Sequence, residues 1–308
     1  MNRIVIVGSV NIDITSYLDK GPLAGETVFA RDIAIALGGK GANQSVAASR
    51  LGTGTALIGC IGDDPFGHNA LAALNRAGVD CHLTVLPDTA TGLALIDVMA
   101  DGSNSIRIGA GANGLVTAQQ LEQFRDLIAE AEVLLLQNEI PLATSVAAAK
   151  IARAAGTRVL MDPAPAPARP WSKAVLQSFD LITPNGHEVE IITGHRPLSL
   201  AEARAAASAI CRAGVPGAVV TMGELGVAWC VAGKTGERQA SAVTAIDTVA
   251  AGDCFNAGLG VALAEGMDVD QAIDFACDVA ALATTQKGAS DSAPYAQDVD
   301  AYRNSVRT

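Results

Sequence analysis

Asp247-Thr248-Val249-Ala250-Ala251-Gly252-Asp253-Cys254-Phe255 is the stretch on which the reading of this 308-residue chain turns. Ala250, Ala251 and Gly252 carry little or no side chain, so the backbone is free to turn tightly and aim its N–H groups at one point. Positions 254–264 have the small, apolar composition of a buried helix. Bare N–H groups at a helix start, with the positive end of the dipole behind them, make an anion site. Asp253 stands at that site as a carboxylate able to accept a proton from an attacking hydroxyl. Such an arrangement is equipped for phosphoryl transfer to an alcohol. The same Asp also reads as an ordinary helix N-cap, and Gly252 as turn chemistry.

A second segment favours the first reading. Gly38-Gly39-Lys40-Gly41-Ala42-Asn43-Gln44 ends a stretch of alternating apolar residues and opens a helix running to about Arg50, with Gly52 as its stop. Adjacent glycines remove side chains where a ligand must approach the backbone, while Lys40, Asn43 and Gln44 supply polar groups. A phosphate-cradling P-loop needs Ser or Thr after its Lys, and Gly41 stands there instead. Upstream, Gly8-Ser9-Val10-Asn11-Ile12-Asp13 follows an apolar run and lacks the dinucleotide-binding glycine pattern. Asn11 and Asp13 alternate with apolar Val10, Ile12 and Ile14, so an extended chain turns both polar side chains the same way. That pair suits two vicinal hydroxyls; a polar strand end is the plainer alternative.

Composition narrows the classes of function. The net charge is −11, from 32 acidic against 21 basic residues, which has the wrong sign for nucleic acid or an anionic membrane surface. An anionic ligand must then be received by local N–H groups and a metal ion. The six cysteines show no zinc or redox spacing and mostly sit among apolar neighbours, as expected of reduced thiols in a cytoplasmic protein. The four histidines form no ligand spacing. The N-terminal apolar run is too short for a signal peptide, and no apolar run reaches the roughly 18–20 residues needed to span a bilayer.

Along the chain, strands are predicted over 3–8, 56–61, 133–137, 158–162, 181–183, 218–221 and 227–231. Helices are predicted over 65–77 after Asp64, 118–131 after Thr117, 141–154, 200–213 after Ser199, and twice near the C-terminus. Continuous apolar strands, each followed by a helix, point to a parallel sheet covered on both faces. The Pro-Ala stretch over 163–170 reads as a structured loop after a strand. Two stretches break the alternation: 27–37, and the pair 93–99 and 105–108 around the hairpin signal Asp101-Gly102-Ser103-Asn104.

On these residues, with Asn138-Glu139, Thr183-Pro184-Asn185 and Glu188, and Thr221-Met222-Gly223-Glu224-Leu225-Gly226, the chain resembles the ribokinase-like sugar kinases, also called the carbohydrate kinase B type, from about residue 4 to about 295. The resemblance implies one α/β domain, 1–308, with a mostly parallel central sheet and helices on both faces. It adds a small β-sheet lid from about 10–37 and 91–108, whose exposed apolar face would form a homodimer. The implied reaction is ATP-dependent phosphorylation of the primary hydroxyl of D-ribose; deoxyribose, fructose or adenosine is the alternative acceptor. Asn11, Asp13, Gly39, Lys40, Gly41, Ala42, Asn43, Glu139 and Asp253 would hold the sugar, with Asp253 as base and Ala250, Ala251 and Gly252 as anion hole. The nucleotide would meet Asn185, Glu188, Thr221, Met222, Gly223, Glu224, Leu225, Gly226, Gly252 and Cys277, with Mg²⁺ organised through Asn185 and Glu188. A K⁺ site is implied at Asp247, Val249, Ala283, Gln286, Gly288 and Ser292. Cys254 departs from relatives that often carry Thr after the base, and its place at a helix start suggests either a reactive thiol or a small buried filler. A silent sugar-binding sensor is the rival from another class, disfavoured because a binding module needs no proton acceptor.

Overall fold

A computed structural model describes residues 3–101 and 103–306 of the chain. Gly102 of the predicted hairpin turn lies outside the described residues, as do positions 1, 2, 307 and 308. From the N-terminus, β1 (Ile4–Val7) leads into β2 (Asn11–Leu18) and β3 (Asp32–Gly38), then α1 (Lys40–Arg50), β4 (Thr55–Gly62), α2 (Pro65–Arg76) and β5 (Asp80–Leu86). The strands β6 (Gly92–Met99) and β7 (Asn104–Gly109) precede short helices α3 (Ala118–Leu121) and α4 (Arg125–Ala129). Next come β8 (Val133–Gln137), α5 (Leu142–Ala155), β9 (Arg158–Asp162), α6 (Lys173–Leu176), β10 (Leu181–Ile182), α7 (Gly186–Thr193) and α8 (Leu200–Ala213). The last part holds β11 (Gly217–Thr221), β12 (Val227–Val231), β13 (Lys234–Arg238), α9 (Ala251–Ala264), α10 (Val269–Ala283) and α11 (Ala296–Val306).

Nine strands form the central sheet in the order β13-β12-β11-β10-β9-β8-β1-β4-β5. From β11 to β5 they run parallel, and β12 and β13 add an antiparallel edge. The unbroken apolar runs follow from burial on both faces. Ile4 and Ile6 enter one core with α1, α2, α9 and α10, whereas Val5 and Val7 enter the other with α5 and α8. Asp64 caps α2 by accepting from Gly67 N at 2.7 Å, and Ser199 caps α8 from Glu202 N at 3.2 Å. The predicted helix 118–131 is instead broken. Phe124 leaves helical dihedrals (φ −115°, ψ 16°) and sets its ring 5.4 Å from that of His82.

The second sheet has four strands in the order β3-β2-β6-β7, with β2 and β6 parallel and the outer pairs antiparallel. Its register assigns its faces. Ile35, Ile14 and Leu95 pair across one face, and Ile33 falls on the same side by alternation. Asp13, Ala94 and Ile108 pair across the other. Ile33 and Ile35 are 58% and 64% exposed, so the first face is uncovered apolar surface.

Candidate active site

Ser9, Gln137, Asp162, Thr183 and Thr221 lie at or just beyond the C-terminal ends of β1, β8, β9, β10 and β11. The chain runs outward from β1 in both directions across the sheet, and ligands of open α/β sheets bind where the strand order reverses. On one side of this region α1 starts at Lys40, with Gly39 as its cap at φ 87°. A Cβ on Gly39 would lie 2.7 Å from Asn11 N, so both dihedral and space call for glycine. Glu139 stitches the junction together: its Oε2 accepts from Lys40 N at 3.1 Å and from the Ser9 hydroxyl. Gly41 N donates to Ser9 Oγ at 3.3 Å and Ala42 N to Ser9 O at 2.9 Å, which commits both amides to the scaffold.

Asp253 sits in the first turn of α9, only 4% exposed. Its Oδ2 accepts from Asn43 Nδ2 at 2.9 Å, and its Oδ1 lies 3.4 Å from Gln44 Nε2 and 3.9 Å from Lys40 Nζ. Gln44 also reaches Asp162 Oδ2 at 3.4 Å, and its own oxygen accepts from Gln137 Nε2 at 2.7 Å. The group is a cluster of carboxylates around one lysine. Burial works against the charge on Lys40, yet Asp253, Asp162, Glu139 and Glu188 together hold its ammonium well above the ordinary lysine range. Burial, aided by the charges of Glu139 and Asp253, pushes Asp13 up to about 6. Burial likewise pushes Asp162 up to about 8, with Lys40 opposing and Asp253 and Glu188 reinforcing. Asn43 Oδ1 is buried without a hydrogen-bond partner, an acceptor awaiting a donor.

Ala250, the cap of α9, has φ 59° and ψ 9°, an uncommon left-handed conformation for a residue with a side chain. Ala251 N turns back to Thr248 O at 3.3 Å, while the N–H groups of Ala250, Gly252 and Asp253 have no partner among the described residues. Thr183 Oγ1 donates to Asn256 Oδ1 at 2.7 Å, and Asn256 Nδ2 to Gly252 O at 2.9 Å, pinning this turn to the end of β10. Beside it opens a cleft of about 610 Å³. Asn185, Thr221, Gly223, Glu224, Gly226, Gly252 and Cys277 line it, together with Phe255, Ala280, Ala281 and Thr284.

Asp253 therefore touches the residues gathered at the start of α1, while Gly252 beside it opens onto the cleft. Carboxylate, uncommitted N–H donors and a second compartment are arranged for group transfer between two bound molecules.

The pfkB family carbohydrate kinase model matches residues 1–296. This chain belongs to that family. It is 38% identical over 296 residues to the ribokinase of Haemophilus influenzae, covering 96% of each protein. It is 33% identical to the deoxyribokinase of Salmonella typhi, covering 97% of this chain and 98% of the relative. Among solved structures, the ribokinase of Arabidopsis thaliana complexed with ribose and ATP superimposes with a TM-score of 0.92 at 31% identity, covering 98% of both chains. This kinase is thus a phosphotransferase with the ribokinase-like α/β fold.

Several residues of this carbohydrate kinase fall elsewhere than the sequence implied. Met222 packs against the core and Leu225 turns to solvent, so neither lines the cleft. Glu188, 3% exposed, lies beneath the wall in a capping box: its oxygens accept from Asn185 N at 2.7 Å and Asn185 Nδ2 at 2.8 Å. The thought of a reactive Cys254 is overturned, because the side chain is 1% exposed within the core and burial, then Asp253, hold the thiol well above its ordinary range. Burial also pushes the Cys277 thiol up to about 11. Asp162, Gln137 and Asn256 were missed: Gln137 and Asp162 are the last residues of β8 and β9 and Asn256 lies in the second turn of α9, and nothing in their local sequence marks them.

Asp247 bridges two loops, accepting from Val249 N and from Gly288 N, each at 3.0 Å. The carbonyl oxygens of Val249, Gln286 and Gly288 carry no hydrogen bond from the described residues, while Ala283 O accepts from Gln286 N at 3.3 Å and Ser292 Oγ donates to Ala289 O at 2.8 Å. Further on, the Arg50 guanidinium at the end of α1 donates to the carbonyls of Ser290, Asp291 and Ala293 at 3.0, 3.0 and 2.8 Å. Among the described residues no helix is long and apolar enough to cross a membrane.

Proposed function

We propose that this kinase transfers the γ-phosphoryl group of ATP to the primary hydroxyl of D-ribose, giving ribose 5-phosphate. One observation carries the reading: Asp253 is hydrogen-bonded to Asn43 on the side where Asn11, Asp13 and Glu139 gather, while the adjoining Gly252 lines the second compartment. Similarity to ribokinases, one of them complexed with ribose and ATP, supports the choice of substrates. Ribose would lie among Asn11, Asp13, Gly39, Lys40, Asn43 and Glu139, with its primary hydroxyl at Asp253. The carboxylate takes that proton as the oxygen attacks the γ-phosphorus, the bond to the bridging oxygen breaks, and ADP leaves. The free N–H groups of Ala250, Gly252 and Asp253 stabilise the charge that gathers on the migrating group. Gly41 and Ala42 shape the pocket by holding Ser9.

The cleft walled by Phe255, Ala280 and Ala281 suits a flat base, with Thr221, Gly223, Glu224 and Gly226 at its rim. Mg²⁺ would neutralise phosphate charge. Glu188, held at both oxygens by Asn185, fits a role through metal-bound water rather than direct ligation. Asp247 with the free carbonyls of Val249, Gln286 and Gly288 is a hard oxygen set that fits K⁺, which would order the loop leading to Gly252. The four-stranded sheet would act as a lid that excludes water, with Asp13 and Ile108 on its inner face and Ile33 and Ile35 meeting a second copy of the chain on its outer face.

A coupled ADP-release assay across ribose, deoxyribose, fructose and adenosine tests the proposal. The expected result is the largest kcat/KM with ribose. Faster turnover of deoxyribose would transfer the assignment to that sugar, and no acceptor-dependent ADP release would refute it.

A further inference from the structure

Asn113, which the sequence reading did not single out, lies in the short 3₁₀ turn Gly111–Leu115 and is 1% exposed. Its oxygen accepts from Val10 N at 2.8 Å, and its Nδ2 donates to Val10 O at 3.1 Å. A backbone N–H only donates and a backbone carbonyl only accepts, so this pair fixes which end of the Asn113 amide is which. The same Nδ2 also donates to Asn11 at 2.7 Å, so the Asn11 atom facing it must be the oxygen. The other end of the Asn11 amide, its NH₂, then has no partner among the described residues although Asn11 is 2% exposed. Gly92 protects this relay: a Cβ there would come within 2.2 Å of both Asn11 Oδ1 and Asn113 Nδ2.

We infer that Asn113 is a positioning residue that sets the polarity of substrate recognition, holding Asn11 so that it presents N–H groups, never its oxygen, to the sugar. The inference rests on the sugar-kinase reading above and deepens it. The hydroxyl opposite Asn11 is recognised through its oxygen as an acceptor. Asp13, two residues along the same face of β2, offers only carboxylate oxygens when ionised and accepts a hydrogen bond from a neighbouring hydroxyl. One donor and one acceptor side by side match a vicinal diol whose two hydroxyls play unequal parts.

Deoxyfluoro sugars separate the two roles, because carbon-bound fluorine accepts weakly and cannot donate. Calorimetric titration of the full chain without nucleotide would compare D-ribose, its deoxy analogue at each ring hydroxyl, and the matching fluoro sugars. At the position facing Asn11, removing the hydroxyl leaves a buried donor unpaired and weakens binding about tenfold or more. Fluorine there is expected to recover part of that loss. In Asn113→Asp the atom facing Asn11 becomes a carboxylate oxygen, the Asn11 amide turns over, and the recovery disappears, with KM for ribose rising more than kcat falls. A merely structural Asn113 would weaken all sugars alike and leave the fluoro-to-deoxy ratio unchanged, which overturns the inference. So does a wild-type protein that binds ribose but gains nothing from fluorine at any position, a result independent of whether the variant folds. Absence of ribose binding altogether would overturn the ribose assignment and this inference with it.

Discussion

Replacing Gly252 by Ala should make the protein more stable and nearly inactive. Gly252 is the second residue of α9, its backbone is not in the left-handed region, and a Cβ added there meets no atom within 4 Å. The methyl therefore costs nothing sterically in the unliganded protein. Removing glycine from a helix reduces the freedom of the unfolded chain, a gain of about 0.5–1 kcal/mol. For a chain of this size that corresponds to a rise of roughly 1–3 °C in melting temperature. The same methyl projects into the cleft beside the uncommitted N–H groups, where the proposed mechanism puts the migrating phosphoryl group. A displacement of about 1 Å there costs on the order of 10²-fold in rate. Differential scanning fluorimetry without ligands reads the first effect, and a coupled ADP assay the second. Ribose affinity without nucleotide should be unchanged, since Gly252 faces the other compartment. A variant with normal kcat/KM for ATP would refute the placement of the phosphoryl group, and a lowered melting temperature would refute the reading of free space around the Cβ.

Asp253→Asn removes the proton acceptor and should lower kcat by about 10²–10⁴-fold while ribose affinity stays within a few-fold; near-normal turnover would dismiss Asp253 as base. Asp162, pushed up to about 8 from an ordinary 3.8, holds its proton more tightly folded than unfolded, so it weakens the fold as pH rises through that window. The melting-temperature gap between Asp162→Asn and the parent should therefore widen from pH 5 to pH 8, and a constant gap would contradict this. Exchanging K⁺ for tetramethylammonium should lower turnover and melting temperature, and Asp247→Ala should remove that sensitivity; identical behaviour in both salts would dispose of the cation site. The double variant Ile33→Asp, Ile35→Asp should be monomeric by light scattering where the parent is dimeric, and a monomeric parent would end the dimer proposal.

The parallel core was readable because its strands are apolar without interruption. Val133–Gln137 and Val227–Val231 form at the expected residues, and Pro141 and Ser199 stand at the starts of α5 and α8 as their side chains favour. Edges were harder. In β5 the polar Asp80, His82 and Thr84 alternate with apolar residues at the margin of the sheet, and β13 reads Lys-Thr-Gly-Glu-Arg with no apolar signal at all. At the site, the glycine-rich segments announced themselves through composition. Asp162 and Asn113 gave no such sign, because their importance comes from what the folded backbone brings beside them: Lys40 and Asp253 for one, Val10 and Asn11 for the other. Glu188, a residue type that usually stays at the surface, is buried where it forms the capping box with Asn185.

The grip of Arg50 on the carbonyls of Ser290, Asp291 and Ala293 has a thermodynamic corollary. One end of α1 carries Lys40 and Asn43, and the other is fastened to the segment just beyond Gly288, with Ser290 Oγ also donating to Leu37 O at 3.3 Å. Carbohydrate and alkali ion would thus both be tied to α1, one through Lys40 and Asn43 and the other through the segment that Arg50 and Leu37 hold. By reciprocity, whatever factor potassium adds to ribose affinity, ribose must return to potassium.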